Sequence, residues 1–325
     1  GGGAPGGGRT AAGAVFLASV ALMAAKPLLL HLTRAAGTGA PTLPPALFQL
    51  AAELAKLSIC GVVLLCQGAL GRPAALWCGW RHTSAFMVPA VVYLAMNVLT
   101  VRAARLLPPP TFQLLATTKI VFTAVASRVV MARHLSPAQW AALVLLTAGV
   151  SIGQWQGGAE AGLTPSVGAA LMLVNSGLSA LGGVCTERVL KARQNSQLSI
   201  FATNVHLAAH TLVFNSALLV LEALASGALP RCSAPSLPEA VAIGNEALNG
   251  VLISLLMRRI DSIAKNYAFS LSVFVTAGLS AAALDYRPPW NFYMGAAVTA
   301  LSMWLYAHGG GIAGLAAAAS GKKAS

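Results

Sequence analysis

The chain has 325 residues, 57% of them hydrophobic and 9% charged, with a net charge of +13 and a mean hydropathy of +0.72. Soluble domains carry about 25% charged residues, so a chain this poor in charge would present an apolar surface to water, and lipid is the solvent that fits. In a soluble protein the basic excess would suggest nucleic acid, but here the lysines and arginines sit between apolar runs, with no basic stripe interleaved with aromatics, which argues against that partner.

Residues 1–10, GGGAPGGGRT, read as a flexible tail without an initiator Met. Crossing a bilayer takes about 20 mostly apolar residues, and ten such stretches follow, at roughly 11–33, 46–70, 84–105, 110–132, 137–156, 164–190, 198–224, 238–258, 263–284 and 290–308. The first is too long for the apolar core of a signal peptide and has many successors, so it reads as a membrane helix. Prolines mark the joins, among them Pro44, Pro45, Pro108 to Pro110, Pro137, Pro238, Pro288 and Pro289, because proline is tolerated in a first helical turn and disruptive further in. Pro27 and Pro89 fall inside spans, where kinks are expected. The runs lack the two-residue alternation of barrel strands. Small residues at helix spacing, such as Ser176, Ala180 and Gly183, favour close helix contacts. The expected fold is therefore an all-α membrane protein of ten transmembrane helices, followed by a tail over 309–325.

Ten spans put both termini on one side. Most of the lysines and arginines outside the spans fall on that side, including Arg128, Arg133, Arg188, Lys191, Arg258 and Arg259, which marks it as cytosolic.

Four lysines fall within spans: Lys26, Lys56, Lys119 and Lys265. An ionisable group facing lipid costs at least about 3 kcal/mol, so such residues face a cavity or a partner. Lys56 and Glu53 are three apart and share a helix face, which suits a pair and a substrate contact equally. Lys119 lies deep in its span. Lys265 is a few residues into its own, close enough to an end for snorkelling to compete. Lys26 neighbours Pro27, and its role is left open. Three amines, Lys56, Lys119 and Lys265, reaching one wet cavity would suit a phosphate or diphosphate. Tyr93 and Asn97, four apart, project from one face. Phe112 and Gln113 open the fourth span. Such side chains can stack on or read a nucleobase, or can simply pack helices together. Arg258 and Asp261, three apart at a helix end, read as a surface pair.

Other chemistries find little support. Cys60, Cys66, Cys78, Cys185 and Cys232 form no CxxC pair, so neither a disulfide framework nor a zinc site is expected. His206 and His210 are four apart but have no acid near them, which disfavours a metal. No HExxH, no Ser-His-Asp spacing and no acidic metal cluster occurs in the spans, so no enzyme activity, cofactor or metal is expected.

At the singled-out residues the sequence resembles the nucleotide-sugar transporter family, in the branch of CMP-sialic acid and UDP-galactose transporters. The segment from VPAVVYLAMN through FQLLATTKI to LSPAQW resembles that branch, as do ELAKL, GLSALGGVCTERVLK and NGVLISLLMRRIDSIAKNYAFSLS. Four motifs occur in order over about residues 11 to 308. The resemblance implies two inverted five-helix repeats, 11–156 and 164–308, of the drug/metabolite transporter superfamily. It implies that a nucleotide sugar enters the Golgi or endoplasmic reticulum lumen while a nucleoside monophosphate leaves. Carried over residue by residue, it assigns Lys119 and Lys265 to the phosphates. Lys56, Tyr93, Asn97, Phe112, Gln113 and Ser270 then line the nucleotide cavity. Departures include Val98 where a second Asn is common, Phe112 for Tyr, Cys185 for Tyr, and Arg259 and Ser262 within the Lys-Tyr-Ala-Asp-Asn element. These leave base and sugar open. A second copy of the chain is a candidate partner.

The terminal Lys-Lys-Ala-Ser resembles a dilysine retrieval signal for the endoplasmic reticulum, carried by Lys322 and Lys323, although a short basic tail can equally be a topology determinant. Two rivals remain at this stage: a drug/metabolite-type exporter of another small phosphorylated solute or of amino acids, and a non-transporting membrane scaffold for glycosyltransferases.

Overall fold

Proline, serine and left-handed residues set the helix ends. The computed structural model describes residues 7–35, 43–68, 76, 79–107, 112, 115–153, 155, 167–192, 197–227, 234–283 and 288–308. These contain ten long helices: α1 Gly7–Ala35, α2 Pro45–Cys66, α3 Met87–Leu106, α4 Lys119–Met131, α5 Pro137–Gly153, α6 Val167–Lys191, α7 Ile200–Ser226, α8 Leu237–Arg259, α9 Ser262–Ala283 and α10 Trp290–His308. No strand occurs among the described residues. Pro45 and Pro137 are first residues of their helices, where the missing N–H is no loss. Ser236 and Glu239 form a capping box at the start of α8, and Glu239 also accepts from the Leu43 N–H at 3.2 Å, which fixes the approach to α2. α4 ends on Ala132 in the left-handed region, at φ 52°, and α7 ends on Gly227 at φ 68°.

Two expectations need adjusting. The third span is led in by a short helix, Trp80–Thr83, and a 3-10 turn, Ser84–Phe86, so that Pro89 falls in the first turn of α3 and breaks no hydrogen bond. In the fourth span α4 starts only at Lys119, after a helical turn at 115–117 and a break at Thr118, whose hydroxyl donates to the Leu115 carbonyl at 2.6 Å. Thr is prone to such local bonds, which compete with the helix ladder.

Among the described residues, five helical stretches are long and apolar enough to cross a membrane: Ala11–Leu29, Ala46–Cys66, Val167–Lys191, Ile200–Leu221 and Leu237–Arg259. Ser84–Thr100 and Pro137–Gly153 are shorter apolar helices. The burial pattern is that of a lipid-solvated bundle. Val129, Leu224 and Trp290 face outward at 75% exposure or more, while Glu187, Asn204, Asp261, Ser270 and Ser302 are almost wholly buried. In water the reverse would hold. The chain is a multi-pass, all-α membrane protein.

The principal neighbours are α5 with α10, α3 with α6, α1 with α8 and α9, α2 with α7 and α8, α4 with α6, and α3 with α7. The tightest approach is α5 to α10. A Cβ on Gly295 would lie 2.4 Å from the Gly153 nitrogen and 2.5 Å from the Gly149 oxygen, so the two backbones touch. Gly149 and Gly153 form a GxxxG spacing, the arrangement that permits such contact. Polar side chains bridge the other interfaces. Asn175 Nδ2 donates to Thr100 Oγ1 at 3.0 Å (α6 to α3), and Asn245 Nδ2 donates to the Leu22 carbonyl at 3.1 Å (α8 to α1). Asn266 Nδ2 donates to Thr123 Oγ1 at 2.9 Å (α9 to α4).

Candidate substrate cavity

A cavity of about 190 Å³ lies between α1, α4, α6, α8 and α9. Its walls are Met23 and Lys26, Lys119 and Thr123, Ser179 and Gly183, Asn249 and Ile253, and then Ser262, Lys265, Asn266 and Phe269. The spacings are those of single helix faces: three on α1, four on each of α4, α6 and α8, and three, four and seven from Ser262 along α9.

Lys119 and Lys265 both reach this cavity, from helices that belong to different halves of the chain. Lys119 begins α4 directly after the Thr118 break, and its Nζ lies 3.7 Å from the centre of the Phe269 ring. That cation–π contact is weak compensation for a charge out of water. Among the described residues no carboxylate lies within ion-pair distance of either amine, whereas Lys26 pairs with Glu246 at 3.0 Å and Lys56 with Glu53 at 2.6 Å. Gly183 lies beside the Lys265 head, where a Cβ would make ordinary contact, 3.9 Å from its Nζ. Two like charges in one desolvated cavity repel each other, and a polyanion between them would relieve that repulsion.

The remaining sequence-based site residues distribute as follows. Lys56 is buried with Glu53 at the α2–α8 contact, its Cδ within 3.1 Å of a Cβ on Gly250, and it is not part of the cavity wall. Lys26, whose role the sequence leaves open, is. Tyr93 bonds Thr186 Oγ1 at 3.1 Å across α3 and α6. Asn97 is exposed on α3. Phe112 packs with Ala103, Leu107, Leu115 and Met172. Ser270 is fully buried and donates to the Asn266 carbonyl at 2.9 Å. Gln113, Lys322 and Lys323 lie outside the described residues. Asn249, Ser179 and Asn266 line the cavity without having been singled out. As neutral residues in apolar helices they carry no charge penalty to betray them, and only the cavity reveals their common face.

Next to the cavity, joined to its wall through Ser262, lies a satisfied ionic cluster. Glu187 on α6 is 2% exposed, and its Oε1 lies 2.7 Å from Lys191 Nζ. Its Oε2 accepts from the Ser262 N–H at 2.8 Å and from the Ser262 hydroxyl at 2.7 Å. Lys191 also donates to the Ile260 carbonyl at 2.5 Å. Asp261 caps α9, accepting the Ala264 N–H at 2.6 Å, and pairs with Arg133. At 1% exposure Asp261 belongs to the interior, correcting the expectation of a surface pair. Capping the α9 N-terminus draws it inward. Burial alone would lower the Arg133 pKa, but the carboxylate of Asp261 beside it holds it above its ordinary value. Arg133 is aimed there by the left-handed turn at Ala132, after which the Arg133 N–H returns to the Ser127 carbonyl at 3.3 Å.

His206 Nε2 bonds the Leu76 carbonyl at 2.8 Å and His210 Nδ1 the His206 carbonyl at 2.8 Å, which are structural roles. Among the described residues no group of three potential metal ligands converges.

The family model described as "Nucleotide-sugar transporter" matches residues 48–307. CMP-sialic acid transporter 1 of Oryza sativa subsp. japonica is 29% identical over 267 residues, which cover 78% of this chain and 82% of its own. The UDP-galactose/UDP-N-acetylglucosamine transporter srf-3 of Caenorhabditis elegans is 27% identical over 223 residues, covering 67% of this chain and 60% of its own. A protein of solved crystal structure superposes with a TM-score of 0.67 at 15% identity, over 91% of this chain and 96% of its own, a likeness of fold alone. With most of its length matched by that family model, and with an amine-bearing cavity inside a membrane bundle, the chain belongs to the nucleotide-sugar transporter family.

Proposed function

We propose that this chain is an antiporter that carries a pyrimidine nucleotide sugar, of the CMP-sialic acid or UDP-galactose kind, into the Golgi or endoplasmic reticulum lumen in exchange for the nucleoside monophosphate. The observation that carries this reading is the pair of uncompensated amines, Lys119 and Lys265, in one cavity. Substrate phosphates bind between them and remove their mutual repulsion. An empty cavity keeps that repulsion and is costly to close, so the carrier returns loaded and exchange is coupled one for one.

The helix contacts support ten spans in two inverted repeats. Advancing each helix number by five carries the α3–α6 contact onto α8–α1, α4–α6 onto α9–α1, and α3–α7 onto α8–α2, and it returns α5–α10 and α2–α7 to themselves. An odd number of spans per repeat reverses the second repeat in the bilayer, and substrate sites of such folds lie between the halves. With both termini cytosolic, the Glu187–Lys191 and Arg133–Asp261 cluster faces the cytosol and parts when the cavity opens there. Tyr93, Asn97, Phe112, Gln113, Lys56 and Ser270 are assigned to the surroundings of the nucleotide path, and Lys322 and Lys323 to retrieval from the Golgi.

Counterflow in proteoliposomes tests the proposal. Vesicles preloaded in turn with CMP, UMP or GMP should take up the matching nucleotide sugar, and unloaded vesicles should not. Uptake that is equal with and without internal nucleotide would refute coupled exchange.

A further inference from the structure

One wall of the cavity carries chemistry that phosphates do not use. Asn249 is 6% exposed and lines the cavity, yet its buried Oδ1 has no hydrogen-bond partner. Such an atom is unfavourable if it stays unmatched. Three residues earlier on the same face of α8 is Glu246, paired with the cavity lysine Lys26 at 3.0 Å. The bond from Asn245 to the Leu22 carbonyl holds α1 and α8 in register at this point. The cavity thus has unequal sides. Lys119 and Lys265 offer amines without a carboxylate, whereas the third amine, Lys26, is already neutralised, beside an unmatched carboxamide.

Resting on the nucleotide-sugar reading above, we propose that Asn249 and the Glu246–Lys26 pair form the sugar subsite and select a neutral, hydroxyl-bearing sugar over one that carries a carboxylate. A carboxamide both donates and accepts, and so does a hydroxyl, so a sugar hydroxyl can satisfy either end of Asn249. A carboxylate only accepts. It leaves the Asn249 oxygen unmatched, lies next to the like charge of Glu246, and finds Lys26 occupied. Rejection of this kind, by an unpaired polar group and a repulsive charge, is a strong source of discrimination.

The test compares uptake of UDP-galactose, which has a neutral sugar, with UDP-glucuronate and CMP-sialic acid, which have acidic ones. Proteoliposomes are loaded with UMP or CMP. The native chain should favour a neutral over an acidic sugar about tenfold or more. Glu246→Gln releases Lys26 and should raise uptake of the acidic sugars, narrowing that ratio to about threefold or less. Asn249→Leu should lower uptake of the neutral sugar about tenfold more than that of the monophosphate. The Glu246→Gln result is a gain and cannot arise from poor folding. An acidic sugar carried as well as a neutral one by the native chain overturns the subsite, and so do ratios unmoved in both variants. Absence of monophosphate self-exchange in the native chain would instead remove the transport reading itself.

Discussion

At the start of α9, Asp261 and Ser262 sit in a cluster where every buried charge meets its opposite, while one turn further on Lys265 shares a cavity with Lys119 and, among the described residues, with no acid in reach. Both clusters draw on α9, and each contains a lysine, Lys191 in one and Lys265 in the other. Glu187 is satisfied by an amine, an amide and a hydroxyl, all from its own chain. Among the described residues Lys119 and Lys265 have no carboxylate partner, and incomplete charge of this kind inside an apolar bundle is what makes a residue a candidate for function.

Breaking the complete cluster should produce the largest effect. Glu187→Ala leaves Lys191 without its carboxylate and the Ser262 donors unpaired, and should destabilise the protein by about 4 kcal/mol, read as a lowered melting temperature in detergent. Next comes Lys56→Ala, which strands the buried Glu53 carboxylate at a cost of about 3 kcal/mol. The double change with Glu53→Gln should recover most of that loss in thermal melts, as it would not if Lys56 acted mainly on substrate. In the incomplete cluster the signature reverses. Lys119→Ala should reduce counterflow about 100-fold, equivalent to about 2.7 kcal/mol, while the melting temperature stays level or rises, because the repulsion from Lys265 has gone. The smallest change, Ser262→Ala, removes one of several bonds to Glu187 and should cost about 1 kcal/mol, with the exchange rate little altered.

Much of this architecture could be read from the chain because lipid imposes a simple rule: apolar residues in runs of about 20 and punctuation between them. The ends were harder, since they depend on capping contacts. The break at Thr118 and the left turn at Ala132 follow from local hydrogen bonds that no hydropathy pattern contains. Within the site, charge was the legible part. Lys119 and Lys265 stood out because lysine does not belong in a span, and the same reasoning flagged Lys26 and Lys56 without saying which had a partner. Spacing located Glu53 beside Lys56, three residues away. It had no means of locating Glu246, which reaches Lys26 from 220 positions along the chain. Asp261 was misplaced for a related reason. Its partner Arg133 is remote in sequence, whereas Arg258 is near.

The contact of Gly149 and Gly153 with Gly295 has a mechanical meaning. At Gly153 and Gly295 backbone lies against backbone, and a Cβ on Gly149 would lie 2.7 Å from Thr299 Oγ1, so α5 and α10 have little slack there. Under the alternating access proposed above, that edge is expected to move least, with the other helices swinging about it as leaves do about a pin.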